Sequence, residues 1–234
     1  EMISEAAEQN KTDLFYASVI NDKSLFSRAT GSYSHAKKLA ETALELYSAQ
    51  LGEDHPDTLK VMGNLALTLY DLGEYQKTMD LEQVVLEKRR AILGEDHPET
   101  LTAMVNLACT LSDLGEHQEA LLLKQTAFEK HKAILGEDHP DTLTAMNNMA
   151  LTLDALGEHQ KALELLQTVL EKRKAILGEN HLDTLMAMGN LAVTLYDLGE
   201  NQEARELLQT VLEKRRDIYG ENHPKTVNVM KKLM

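Results

Sequence analysis

The chain has 234 residues, 43% of them hydrophobic and 26% charged, which is enough apolar material for a sizeable core. Its formal net charge of -14 repels phosphate backbones, and 4% aromatic content without Trp leaves few surfaces for base stacking, so nucleic acid is not an expected partner. No run approaches the roughly 18 to 20 apolar residues of a membrane span, no basic-then-apolar leader opens the chain, and the single Cys109 allows no internal disulfide, which points to a soluble, cytoplasmic protein.

The dominant feature is a 42-residue repeat: LGEDHPDTL at Leu51, LGEDHPETL at Leu93, LGEDHPDTL at Leu135, LGENHLDTL at Leu177 and YGENHPKTV at Tyr219. Such a period marks one supersecondary unit copied in tandem, each copy burying its apolar face against the next. Residues 1–15 read as an N-terminal cap or a linker, and 16–234 as one solenoid. The first helix pair, 16–51, is degenerate, although Gly31, Tyr33, Ala36, Leu44 and Gly52 keep the period. The pairs 57–93, 99–135, 141–177 and 183–219 follow, and a lone helix at 224–234 closes the segment. A start at Glu1 and an end inside a repeat suggest a piece of a longer chain.

Within one repeat, Leu101, Met104, Leu107, Ala108, Leu111 and Leu114 recur at three- and four-residue spacing, the stripe of an amphipathic helix A. Pro98 suits its first turn, where no N–H is needed, and Gly115 its left-handed end. Helix B runs from about His117 to Leu135 and carries Lys130, His131 and Lys132 near its negative terminus. Frequent Ala, Leu, Glu and Lys, and no β-branched runs, predict an all-α chain.

With Asn106-Leu107-Ala108, Gly115, Ala120 and Ala127-Phe128, and their counterparts Asn148-Met149-Ala150 with Gly157 and Ala162, the chain resembles the tetratricopeptide repeat in its 42-residue, kinesin-light-chain-like form. The resemblance covers about 200 residues and implies a right-handed superhelical α-solenoid of stacked helix pairs. It also implies a binding module that holds an extended, acidic peptide in a concave groove. By the same resemblance, Asn64, Asn106, Asn148 and Asn190, with Arg89, His131, Arg173, Arg215 and Lys60, would line that groove. The match departs where kinesin light chains double the asparagine: the preceding residue here is Gly63, Val105, Asn147 or Gly189.

Read from the residues alone, the asparagine column lies on helix A away from the apolar stripe. Its amides either bond the neighbouring repeat or grip a peptide backbone. The turn column His55, His97, His139, His181 and His223 fits a cap on helix A better than a metal site, because equivalent residues of stacked repeats sit roughly 8 to 10 Å apart. Cys109 stands where other repeats have Leu67, Leu151 and Val193, so it is packing rather than nucleophile. The Met62, Met104, Met146, Met188 and Met230 column reads as core.

No phosphate loop, nucleophile elbow or zinc motif is present, so neither enzyme activity nor a cofactor or metal is expected. A second reading makes the repeats the sensor or autoinhibitory part of a larger signalling NTPase. The apolar face of the last helix further suggests end-to-end self-association.

Overall fold

Helix boundaries follow local chemistry in every repeat. The computed structural model describes residues 2–233 and places in them α1 (Met2–Ala29), α2 (Tyr33–Leu51), α3 (Pro56–Asp71), α4 (Tyr75–Leu93), α5 (Pro98–Asp113) and α6 (His117–Leu135). These are followed by α7 (Pro140–Ala155), α8 (His159–Leu177), α9 (Leu182–Asp197), α10 (Asn201–Tyr219) and α11 (Pro224–Leu233), and no strand occurs among the described residues. Residues 2–15 are part of the single long helix α1. Among the described residues no helix is long and apolar enough to cross a membrane.

The turn histidines are N-caps. Each holds extended backbone and its Nδ1 accepts from the N–H two residues on, at 3.1 Å for His55 and Asp57 and at 3.2 Å for His97 and Glu99, His139 and Asp141, and His181 and Asp183. One otherwise orphaned helix donor is satisfied at each site, and the following Pro or acid suits the first turn. Helix A ends where Gly73, φ 75°, lets Glu74 N–H reach back to Leu69 O at 3.0 Å, closing a Schellman turn.

The chain forms two compact units, Glu1–Glu116 and His117–Met234. In the first, Ile20, Ala43 and Val61 form one apolar cluster and Ala40, Leu65 and Leu69 another. In the second, a larger core joins Met146, Met149, Leu166, Val169, Leu185, Met188, Leu191, Leu208 and Val211. Fully buried alanines at Ala36, Ala120, Ala162 and Ala204 let helix B approach its neighbours closely. Met62, Met104, Met146 and Met188 are buried as the apolar stripe requires, while Met230 is half-buried.

Candidate functional site

The asparagine column sits half-buried on α3, α5, α7 and α9, and its members differ in what they bond. Asn64 Nδ2 donates to Asn21 Oδ1 on α1 at 3.2 Å, and Asn190 Nδ2 donates to Asn147 Oδ1 on α7 at 3.0 Å. Both bonds span 43 residues, one more than the repeat, so each ladder asparagine meets the residue that precedes its counterpart in the repeat before. At that offset Asn106 has Gly63, which offers no side-chain acceptor. Among the described residues neither the Asn106 nor the Asn148 amide makes a hydrogen bond. Half of the column is thus tied into the fold and half is left with free donors.

The basic residues at the end of helix B share one geometry. Arg89 Nη1 donates to Glu99 O at 3.1 Å, Arg173 Nη1 to Asp183 O at 3.0 Å and Arg215 Nη1 to Lys225 O at 2.9 Å, each reaching the second residue of the next helix A. Arg173 is only 3% exposed and gives a second bond to Thr144 Oγ1 at 3.1 Å. Burial pushes all three guanidinium groups down from their ordinary value, and Glu99 and Asp183 oppose this at Arg89 and Arg173. His131 turns inward on its own helix, its Nδ1 lying 2.7 Å from Ala127 O. Lys60 is exposed and makes neither hydrogen bond nor ion pair among the described residues.

Two of the sequence-derived residues come together in one place. A pocket of about 160 Å³ between α9, α10 and α11 is lined by Asn190 and Arg215, with Gly189, Met186, Leu208, Val211 and Val229 as its apolar wall. Asn228 and Lys232 complete the lining, which contains no carboxylate. Sequence reasoning missed these two, although the signal was available: Lys232 lies 42 residues after Asn190, and Asn228 lies 42 after Met186.

Glu82 was also missed. It is 5% exposed on α4, and burial pushes its carboxyl up to about 7 while the Thr110 hydroxyl pulls it down. That pull is weak, since neither Glu82 Oε2 nor Thr110 Oγ1 has a partner at hydrogen-bonding distance and angle. Its column continues with Lys124, Leu166 and Leu208, and Lys124 bonds Thr152 Oγ1 at 2.7 Å.

Comparison with known proteins agrees with this architecture. A Podosopora anserina protein described as a kinesin light chain with nearly identical TPR-like repeats is 26% identical, with a TM-score of 0.75 over 86% of this chain and 94% of that one. BtubC from P. vanneervenii is 18% identical, with a TM-score of 0.73 over 94% and 91% of the two chains. YrrB, described as a TPR protein with an unusual peptide-binding site, is 19% identical with a TM-score of 0.53 over 99% and 98%. No curated protein matches the sequence. Family models described as tetratricopeptide repeat match residues 17–57, 58–99, 83–130, 113–175, 155–217 and 183–233, so the chain belongs to the tetratricopeptide repeat family.

Proposed function

We propose that the chain is a protein-interaction module that holds an extended acidic polypeptide against its helix-A faces, with the pocket between α9, α10 and α11 receiving a carboxylate. The observation that carries this reading is the pocket's lining. Arg215 and Lys232 supply positive charge and Asn190 and Asn228 supply amides, with no acid among them, in a chain of net charge -14. A local positive site on an acidic protein focuses on acidic side chains and disfavours basic ones. The neighbour YrrB is itself a peptide binder, which is consistent with the reading.

The asparagines take different parts in it. Asn106 and Asn148, with unengaged amides, are suited to a peptide's main-chain carbonyls, whereas Asn64 and Asn190 act from a bonded pair. Arg89 and Arg215 first anchor the start of the next helix and present charge through their remaining donors, whereas the buried Arg173 serves the fold; His131 lies on the arginine column, and the exposed Lys60 on that of Thr102, Thr144 and Met186.

Fluorescence anisotropy with a labelled Glu-rich peptide tests the proposal. The expected result is saturable binding that weakens as salt rises, weakens several-fold in Lys232→Glu and in Asn148→Leu, and is unchanged in Lys231→Glu, an exposed neighbour outside the pocket. Equal binding of a neutral peptide of the same length, or an unaltered Lys232→Glu, overturns it.

A further inference from the structure

The 43-residue offset that pairs the asparagines also pairs the last turns of α1 with α3, of α3 with α5 and of α7 with α9, and the last of these junctions differs from the first two. Arg28 Nε meets Asp71 Oδ2 at 2.5 Å, and Tyr70 donates its hydroxyl proton to Asp113. In both cases a cation or a donor on one helix answers the acid on the next. At the corresponding positions of α7 and α9 the pair is Asp154 and Asp197, two carboxylates. Among the described residues no lysine or arginine pairs with either.

Between them stands His159, the first residue of α8, whose Nδ1 lies 2.8 Å from Asp154 Oδ1. One ligand atom from each of Asp154, His159 and Asp197 lies within 4.8 Å of the others. We propose that these three side chains form a binding site for a divalent first-row transition ion of the Zn2+ or Co2+ type. An ion bound at about 2.0 to 2.2 Å from each ligand brings neighbouring ligands to about 3.4 Å of one another, a modest contraction of the present cluster.

The donor set selects the class of ion. One imidazole with two carboxylates suits zinc and its neighbours, whereas Ca2+ requires six to eight oxygens and Mg2+ prefers waters to imidazole. The ligands are also held in place. Asp154 lies in the last turn of α7 and His159 begins α8 across the turn at Gly157, φ 78°, closed by Glu158 N–H to Leu153 O at 2.9 Å. The Asp154 side chain is 9% exposed and that of His159 31%, so the cluster is walled on one side and open on the other, where solvent or a ligand from a partner completes the coordination. A bound ion would fasten α7, α8 and α9 together, the role that Arg28 and Tyr70 play for their own junctions. The site is separate from the turn histidines, whose Nδ1 atoms are occupied as caps.

The test uses the full, tag-free chain stripped with chelator and titrated with Zn2+ by calorimetry and with Co2+ by visible absorption. One equivalent is expected to bind with ligand-field bands characteristic of mixed nitrogen and oxygen coordination and to raise the melting temperature. His159→Gln and Asp197→Asn are expected to lower the affinity by at least about tenfold, and His97→Gln, which removes a capping histidine, to leave it unchanged. Circular dichroism confirms that each variant is folded. No binding at about 100 µM Zn2+, or equal binding by the wild type and both site variants, overturns the proposal, since a true site loses affinity with its ligands.

Discussion

Replacing Glu82 by Gln should remove a specific pH dependence from the stability of the first unit. The native carboxyl is pushed up to about 7 by burial, above its ordinary 4.5, so the folded chain binds the proton more tightly than the unfolded chain does. Stability from this group is therefore fully present below the unfolded value and declines as pH rises through the native one. A shift of that size corresponds to about 3 kcal/mol between the two limits, most of it lost between about pH 5 and pH 8. The cause is the burial of a carboxylate whose Oε2 has no partner. Urea unfolding followed by circular dichroism at both pH values measures the effect, the signal being the difference between wild type and Glu82→Gln, which cancels every other titrating group. Glu82→Leu, the residue its column carries at Leu166 and Leu208, should likewise raise stability at about pH 8. An identical pH slope in wild type and Glu82→Gln would refute the reasoning.

Other substitutions check the remaining assignments. Asn64→Leu strands the buried Asn21 carbonyl and should cost about 1 to 3 kcal/mol, whereas Asn106→Leu, with no partner to lose, should stay within about 0.5 kcal/mol in the same unfolding assay. Arg173→Ala should cost about 2 kcal/mol through lost hydrogen bonds and packing, and Arg173→Met should recover most of it by keeping the packing and removing a desolvated charge; equal losses would mean that the bonds to Asp183 and Thr144 dominate. Leu182 begins α9 at the position that Pro56, Pro98 and Pro140 hold elsewhere, after a histidine with the same extended backbone. Leu182→Pro should thus raise stability by about 0.4 to 1 kcal/mol, read as a higher melting temperature. Leu185→Ala, at a fully buried position, should lower stability by about 2 to 5 kcal/mol.

Much of this protein is determined along the chain. The 42-residue period, the alternation of A and B helices, the histidine and proline that open helix A and the glycines that end both helices are local requirements of backbone geometry and hydrogen bonding, and each is legible within a few residues. The buried leucine, alanine and methionine columns follow from helical periodicity. Aligning repeats by period, however, compares residues that are equivalent, and equivalent residues are not the ones that touch.

Within each unit, contact between successive A helices runs at an offset of 43, and this one-residue slip is set by how the helices pack. It decided that Asn64 and Asn190 are bonded while Asn106, facing Gly63, is not. It also set Asp154 against Asp197, and packing drew the arginines onto the next helix's first turn. The burial of Glu82, and the meeting of Asn190, Arg215 and Lys232 at one pocket, are likewise products of packing. A side chain's local pattern carries its tendency to be helical or buried; its partner, its desolvation and its charge are fixed only when distant helices come to rest against it.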